Sequence, residues 1–318
     1  MGEALIITHT DMDGVAAAAL YIYLNKLEDY RVYFTEPYGL HEALGKAVGK
    51  GFTRIALMDL GVNPPVFNRV VELLGELTGG GSRVSWFDHH VWEDEWVKAV
   101  EGSGVVLHID TSTCATGVVY KYSERKGSID PLYVSSLVNG VCAGDLWRFD
   151  HWLGPYYVRL VRRRDGDGWR RRVLETLSKG VFWDPLFEEK VVEAVEAELG
   201  LLGDGLKTVV REVDGFRICV AESSDTVENS FLASYLMGRF NADVAVIASS
   251  DGKLSLRSRG VNVRDIAVAL GGGGHLTASG ARIPIPFKTR LLSRLSKTML
   301  LEHVADRVLD HRDKLRRL

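Results

Sequence analysis

The sequence predicts an α/β protein with two domains. Its 318 residues exceed the ~100–200 residues of one typical domain. Apolar runs of strand length alternate with helix-period segments through the first half, a pattern typical of a parallel sheet joined by crossover helices. A long amphipathic segment then ends near Gly203, and a second series of strands and helices begins. We therefore expect a parallel-sheet domain with helices on both faces at 1–186, a helical linker at 187–212, and a smaller α/β domain at 213–318.

Each element is predicted from its hydrophobic period. Strands carry short apolar or alternating runs, and helices carry apolar residues three and four positions apart. In the first domain the predicted strands are 4–7, 54–58, 84–87 and 105–109, and the predicted helices are 14–26, 65–77 and 114–124. A helix at 187–202 forms the linker. In the second domain the strands are 216–221, 243–249 and 253–259, the helices are 230–240 and 263–270, and a glycine run and a basic terminal helix follow.

The composition is that of a globular protein. The chain is 46% hydrophobic and 25% charged, with 33 glycines and 8 prolines, which excludes collagen-like and disordered classes. No apolar stretch approaches the ~20 residues of a spanning helix, so we expect no membrane association. The net charge of −3 is unevenly spread, because residues 242–318 hold fourteen Lys and Arg against seven Asp and Glu. This segregation suits an anionic substrate, with an ordinary solvated surface as the alternative.

The cysteines predict a reducing environment. Cys114, Cys142 and Cys219 are odd in number and widely spaced, which matches neither a zinc ribbon nor a disulfide framework. The amino-terminal segment lacks the features of a secretion signal. We therefore expect a cytoplasmic protein with reduced cysteines.

Polar residues cluster directly after the first predicted strand. His9, Asp11 and Asp13 alternate in an extended segment before a helix, so one side of the backbone can offer three metal ligands. A helix N-cap is the alternative for any single Asp. Three such groups within six residues favour the metal site.

Further acids follow the next strands. Asp59 comes after the second strand, and Asp88, His89 and His90 come after the third. Ligands of parallel α/β sheets bind outside the carboxyl ends of the strands, so these positions are expected to converge in one crevice. Asp145 follows a later small-residue segment and is expected to join them, a capping role being the alternative.

This set of side chains predicts a pair of divalent cations. Carboxylates and imidazoles without thiolates favour Mn²⁺, Mg²⁺ or Fe²⁺ over structural zinc. Paired metals ~3.5–4 Å apart serve phosphoryl transfer, because they generate hydroxide and clamp the attacking and leaving oxygens.

Two basic features are candidates for substrate binding. Arg257 and Arg259 alternate along a predicted strand, and the glycine run 271–274 leads into His275. Arginine matches phosphate bidentately, and glycine amides approach anions closely. The second feature is the tract 162–172, with six arginines, which is either a solvated loop or a nucleic-acid contact.

Together these motifs resemble the DHH phosphoesterase family with its DHH-associated C-terminal domain, in the RecJ-like and nanoRNase-like exonuclease branches. The resemblance covers essentially the whole chain. It is carried by His9-Thr-Asp11-Met-Asp13-Gly14, Asp59, Asp88-His89-His90, Asp145, Gly271-Gly-Gly-Gly274-His275 and Ala278-Ser279-Gly280. One departure concerns His9. It lies two residues before Asp11, whereas in many pyrophosphatase and nanoRNase relatives the corresponding histidine lies four residues before the Asp.

The resemblance implies two Mn²⁺ ions, with Mg²⁺ as the alternative, bridged by Asp59. The ligands of one ion would be His9, Asp11 and Asp59. The ligands of the other would be Asp13, Asp59, His89 and Asp145. Asp88 would support the site or act as a further ligand, and His90 would contact the scissile phosphate. The residues expected to bind substrate phosphate or the terminal nucleotide are Arg257, Arg259, Gly272, Gly273, Gly274 and His275.

The resemblance also implies a function. We expect an exonuclease that hydrolyses short single-stranded oligonucleotides, RNA or DNA, to mononucleotides by two-metal attack of hydroxide. One alternative is a phosphatase or phosphodiesterase for a cyclic dinucleotide or 3′-phosphoadenosine 5′-phosphate. The other is a non-catalytic replication scaffold. A nucleic-acid end is the expected partner, with a replication or repair protein as a further one; polarity and oligomeric state stay open.

Overall fold

The computed structural model describes residues 3–293, 296 and 298–318. The chain divides into two compact units, residues 1–192 and 193–318. The division falls within helix α9 (Pro185–Gly200), which is followed by a π-helical turn at Leu201–Gly205. The predicted α/β class is confirmed, since each unit combines a sheet with helices packed on it.

The first unit is built on a parallel sheet in the order β2-β1-β3-β4-β5. All four neighbouring pairs run parallel, and β1 lies between β2 and β3 in a register that aligns Ala4 with both Tyr30 and Arg54. Strand β2 was not predicted, because it is a partly exposed edge strand and lacks a continuous apolar run. The strands are β1 (Ala4–Thr8), β2 (Tyr30–Phe34), β3 (Arg54–Met58), β4 (Arg83–Asp88) and β5 (Val106–Ile109).

Helices cover both faces of this sheet. On one face α2 and α3 bury apolar residues against alternate sheet positions, as Leu44 and Leu74 do against Leu57. On the other face α1 packs with α5 and α8, and Tyr21 of α1 contacts Phe87 of β4. The helices are α1 (Met12–Asn25), α2 (Leu40–Ala47), α3 (Pro64–Gly79), α4 (Asp94–Gly102), α5 (Ala115–Tyr122), α6 (Pro131–Asp145), α7 (Gly154–Leu160) and α8 (Asp167–Ser178).

The second unit holds a mixed sheet in the order β10-β11-β9-β8-β7-β6. Among the described strands of this unit, β7 and β8 pair in parallel and the other pairs are antiparallel. The strands are β6 (Thr208–Val213), β7 (Phe216–Glu222), β8 (Val244–Ala248), β9 (Lys253–Ser258), β10 (Gly273–Gly274) and β11 (Ala278–Arg282). The helices are α10 (Asn229–Phe240), α11 (Arg264–Ala269), α12 (Phe287–Leu292) and α13 (Thr298–Leu309).

Two sequence predictions about the carboxyl half need comment. Residues 208–212 of strand β6 fall in the segment predicted as a helical linker. The strand pairs with β7 through a turn at Asp214 and Gly215, both at positive φ. The predicted basic terminal helix corresponds to α12 and α13, and its residues 294, 295 and 297 lie outside the described part of the chain.

The expectation of unpaired cysteines is wrong. Cys114, the N-cap residue of α5, is joined by a disulfide to Cys142 in α6, while Cys219 is free and buried. The 28-residue separation hid the pair in the sequence, because only the packing of α5 against α6 brings the two thiols together. Within the described residues, no helix has the length and apolar character that crossing a bilayer requires.

Candidate metal centre

The predicted acids and histidines meet at the carboxyl edge of the parallel sheet. The strands β2 and β3 lie on opposite sides of β1, so the strand order reverses at this point of the parallel sheet. A crevice opens at the strand ends where the order reverses. His9 directly follows β1, Asp59 follows β3, and Asp88 ends β4 ahead of His89. The parallel register therefore collects side chains that lie far apart in sequence.

Asp59 occupies the middle of this crevice in an unusual backbone conformation. Its φ is +56°, and its amide donates to the carbonyl of Phe87 at 3.0 Å. The residue is 3% exposed. One carboxylate oxygen, Oδ2, lies 3.2 Å from Nδ1 of His9, and the other, Oδ1, lies 3.4 Å from Nε2 of His89. Left-handed backbone at a non-glycine residue is costly and concentrates at functional sites.

A first ligand group consists of His9, Asp11 and Asp59. Nδ1 of His9 lies 2.9 Å from Asp11 Oδ2, and its Nε2 lies 3.2 Å from Glu36 Oε2. Burial opposes a charge on His9, yet hydrogen bonds to Asp11, Asp59 and Glu36 raise its pKa to about 12. In turn, the bond from His9 lowers the pKa of Glu36 to about 2. The group thus attracts positive charge strongly.

Local geometry explains why a glycine follows Asp13. A Cβ at Gly14 would lie 2.7 Å from the backbone oxygen of His9 and 2.8 Å from its Cβ, which is a clash. Gly14 also donates its amide to Asp11 Oδ1, so Asp11 is the N-cap of α1 as well as a member of the ligand group. The glycine lets the helix start close against His9.

A second ligand group consists of Asp13, His89 and Asp145. Nε2 of His89 lies 3.8 Å from Asp145 Oδ2 and 3.9 Å from Asp13 Oδ2. Burial and the nearby charge of Asp59 raise the pKa of Asp13 to about 7, and burial with the charges of Asp13 and Asp59 raises the pKa of Asp145. Burial opposes a charge on His89, but its bond to Asp59 raises its pKa to about 10.

The amino terminus of α5 holds Asp13 in place. The amides of Ala115 and Thr116 donate to its two carboxylate oxygens at 2.7 and 2.8 Å, and the Thr116 hydroxyl donates at 2.6 Å. Donors at a helix start favour a negative charge. Cys114 precedes these donors, and its disulfide partner lies three residues before Asp145, so one covalent link joins α5, whose amides hold Asp13, to α6, which carries Asp145.

Asp88 and His90 form a separate pair beside the ligand groups. Nδ1 of His90 lies 2.9 Å from Asp88 Oδ1, and Trp92 donates its indole N–H to Asp88 Oδ2 at 2.7 Å. The Asp88 carboxylate raises the pKa of His90. Among the described residues, Asp88 belongs to none of the three groups that could hold a metal, whereas His90 joins Asp59 and His89 in the third. Both oxygens of Asp88 are thus engaged in orienting His90 and Trp92.

The donor chemistry of the crevice fits divalent cations. In each group the three ligand atoms lie within 4.8 Å of one another. Carboxylate oxygens with imidazole nitrogens suit Mn²⁺, Mg²⁺ or Fe²⁺. Burial and the nearby charge of Asp59 both raise the pKa of Asp13, and a bound cation would offset both effects.

The expected substrate-binding arginines lie in the second unit. Arg257 of β9 is partly buried, which lowers its pKa, and it donates to the Ser230 hydroxyl at 3.2 Å. Arg259 follows the strand and reaches the Ser234 carbonyl at 3.5 Å. His275 is exposed after β10. These cationic or polar side chains lie on or directly after strands of one sheet.

The glycine run has a packing reason of its own. A Cβ at Gly272 would lie 2.0 Å from the Gly280 oxygen, and one at Gly274, where φ is +134°, would lie 2.7 Å from the Ser279 Cα. The amide of Gly272 already donates to the Ala267 carbonyl, and that of His275 donates to Ala278. These two amides are therefore not available to an anion. A Cβ added at Gly273, by contrast, would have no neighbour within 4 Å.

Sequence reasoning missed Glu36 and Thr116. Glu36 follows β2, so it obeys the same strand-end rule as Asp59, and an alternating aromatic run at 30–34 was the available signal. Thr116 gave no signal, because only the approach of α5 to α1 makes it a partner of Asp13.

Comparison with known proteins gives one family and one curated relative. Residues 215–300 match the family described as the DHHA1 domain. A stretch of 36 residues is 58% identical to the bifunctional oligoribonuclease and PAP phosphatase NrnA of Mycoplasma genitalium. That stretch covers 11% of this chain and 11% of the relative.

Solved structures share the fold. The chain is similar to RecJ from Thermus thermophilus in complex with Mn²⁺, with a TM-score of 0.56 and 14% identity over 96% of this chain. The match covers 52% of that chain, so this chain spans about half the length of that RecJ. It is also similar to the pGpG-specific phosphodiesterase PggH from Vibrio cholerae, with a TM-score of 0.54 and 13% identity over 93% of this chain and 98% of PggH.

Proposed function

We propose that the chain is a phosphodiester hydrolase of the DHH phosphoesterase family, since residues 215–300 match the DHHA1 domain and the fold is similar to that of RecJ. Its proposed reaction is the removal of mononucleotides from short single-stranded oligonucleotides, with Mn²⁺ as the working ion. The names of similar proteins support the substrate class, since they include an oligoribonuclease, a RecJ and a pGpG-specific phosphodiesterase.

One observation carries the proposal. The two carboxylate oxygens of Asp59 face two different ligand groups, 3.2 Å from His9 on one side and 3.4 Å from His89 on the other. A carboxylate so placed can bridge two cations. His9 and Asp11 would complete one site. The other site would be completed by Asp13, His89 and Asp145. Together with Asp59, these residues come from four separate segments of the chain.

The remaining residues have roles that follow from their contacts. Bound divalent cations would lower the pKa of a water molecule and neutralise charge on the phosphate oxygens. The Asp88 carboxylate engages Nδ1 of His90 and raises the pKa of the ring, which favours the protonated form, and in that form Nε2 would donate to a phosphate oxygen. Asp88 acts through His90 and is a positioning residue. Arg257, Arg259 and His275 would bind substrate phosphate within the second unit.

The test is hydrolysis of labelled single strands in Mn²⁺. RNA and DNA of two to about thirty nucleotides, labelled at either end, are incubated with the wild-type protein and with Asp59→Asn. We expect mononucleotide release by the wild type and a loss on the order of 10³-fold in the variant, because the bridging charge is gone. The labelled end that disappears first gives the polarity.

Asp110→Asn is the matched control. Asp110 also follows a strand of the same sheet, but it pairs with Lys121 and Ser112 and belongs to no candidate metal group of the described residues. Its variant should retain full activity. Cleavage confined to dinucleotides, cyclic dinucleotides or 3′-phosphoadenosine 5′-phosphate would assign a small-substrate enzyme, and no hydrolysis of any of these would favour a scaffold.

A further inference from the structure

A cavity of about 630 Å³ opens in the first unit beside the first ligand group. Thr10 and Glu36 contribute to its wall. The Thr10 hydroxyl donates to one oxygen of Glu36, and the other oxygen lies 3.2 Å from Nε2 of His9. The cavity therefore begins one residue from a candidate metal ligand. Its volume falls within the ~300–1,000 Å³ range of ligand pockets.

Three basic side chains line this cavity and keep hydrogen-bonding capacity: Lys46, Arg163 and Arg171. Arg163 is 67% exposed, and its Nη2 lies 3.9 Å from Asp11 Oδ2, beyond a direct hydrogen bond. Arg171 donates one bond, to the carbonyl of Val32. Among the described residues, neither Lys46 nor Arg171 has a carboxylate partner. Most of their donors remain for a ligand.

The acids of the cavity do not cancel this charge. Glu36 is bound to His9 and Thr10, and Asp167 accepts from Arg170 at 2.9 Å. Glu42 is the one lining carboxylate without an ion pair in the described chain, and it stands against the three basic groups. The cavity is therefore positive on balance and suits an anion.

The arginine tract is folded specifically to form this wall. Arg170 is 4% exposed and donates to the carbonyls of Thr10 at 2.7 Å and Arg163 at 2.6 Å. It thereby ties the loop after α7 to the segment that follows β1. Arg164 and Arg172, by contrast, are exposed and do not line the cavity. A merely solvated loop would need no such buried organiser.

Aromatic rings complete the lining. Tyr38 is 66% exposed on the 3₁₀ turn before α2, and the guanidinium of Arg171 lies 5.7 Å from the centre of the Phe34 ring. Exposed aromatic rings beside backbone-binding cations are the standard surface for single-stranded nucleic acid, since every base has a face that stacks.

We propose that this cavity binds a nucleotide unit of a single-stranded oligonucleotide away from the scissile bond. Its phosphates are bound by Arg163, Arg171 and Lys46, and its base stacks on Tyr38. The proposal rests on the function proposed above and deepens it, because it makes the first unit bind the chain of the substrate as well as cut it.

The test is binding without turnover. Fluorescence anisotropy with labelled oligonucleotides of two to about twelve nucleotides is measured in EDTA over a range of NaCl concentrations. Arg163→Gln with Arg171→Gln removes two phosphate contacts, so the slope of log affinity against log salt should fall by about 1.4. Tyr38→Ala should weaken binding of the longer strands by about tenfold or more. In both variants the gain in affinity with length should flatten.

Arg164→Gln with Arg172→Gln is the matched control and should behave as the wild type. If the double arginine variant does not fold, Lys46→Gln, a substitution on α2, tests the same cavity and should likewise lower the salt slope. Equal slopes and affinities in the cavity and control variants would overturn the subsite. Mn²⁺-dependent hydrolysis by the wild type is measured separately, so a wild type that binds by these residues and hydrolyses nothing would sink the proposed function and leave the binding site standing.

Discussion

Each unit carries a conspicuous sequence motif: the first has the cluster of acids and histidines, and the second has the glycine run. The physical reason for the two motifs differs. At the sheet edge of the first unit, Asp13 and Asp59 are buried carboxylates, and the charge of Asp59 adds to burial in raising the pKa of Asp13. Packing alone does not require so costly an arrangement. In the glycine run of the second unit, Gly272 and Gly274 are demanded by neighbouring backbone. The cost of burying these carboxylates together thus indicates a bound ligand. The glycine run, by contrast, is explained by backbone packing without any ligand.

The largest expected effect concerns the disulfide that joins two helices at the candidate metal centre. Cys114→Ser should lower the free energy of unfolding by about 2–4 kcal/mol, because it opens the link between α5 and α6. Guanidinium unfolding followed by tryptophan fluorescence measures it. A loss of this size would show that the buried carboxylates are supported by helices outside their own sheet, whereas the glycine run depends on its immediate backbone neighbours.

Reductant provides the control for this prediction. Dithiothreitol should lower the stability of the wild type to that of Cys114→Ser and leave the variant itself unchanged. Cys142→Ser should match Cys114→Ser. A wild type that is indifferent to reductant would mean that the link does not support the metal centre.

Gly272→Ala should have a somewhat smaller effect, about 2 kcal/mol of lost stability in the full-length protein. The new Cβ would meet the Gly280 oxygen at 2.0 Å, which forces the hairpin apart. Urea denaturation measures the change. Gly273→Ala, at a position with open space, is the matched control and should change stability by less than about 0.5 kcal/mol.

A binding measurement on the same two variants separates a packing role of Gly272 from a ligand-binding role. If Gly272→Ala kept its stability but lost affinity for a mononucleotide, measured by calorimetry, the glycine would be a ligand-binding residue. The structural explanation of the run would then be wrong.

Thr116→Val should have the smallest effect, on metal affinity. It removes the hydroxyl donor to Asp13 but keeps the two amide donors and the side-chain shape. Loss of such a supporting bond weakens metal binding by about tenfold. Calorimetric titration with Mn²⁺ measures it. Ser112→Ala, which removes a comparable bond to Asp110 outside the ligand groups, should leave the affinity unchanged.

Much of the centre was predictable because parallel sheets obey a positional rule. His9, Asp59 and His89 were identified from their place after predicted strands, and the structure brings each to the same edge. Glu36 escaped because its strand is a partly exposed edge strand without an apolar run. The role of Asp88 was left open between ligand and support, and its contacts with His90 and Trp92 favour support.

The sequence by itself determined the fold class and the boundaries of most strands, and it predicted the acidic and imidazole residues of the candidate metal centre, since hydrophobic period and strand-end position are local properties. Only the tertiary structure decided the left-handed backbone of Asp59, the clamp of α5 on Asp13 and the disulfide of Cys114 with Cys142. It also decided which arginines of the 162–172 tract face a cavity. These features depend on contacts between distant segments, and neither spacing nor composition encodes such contacts.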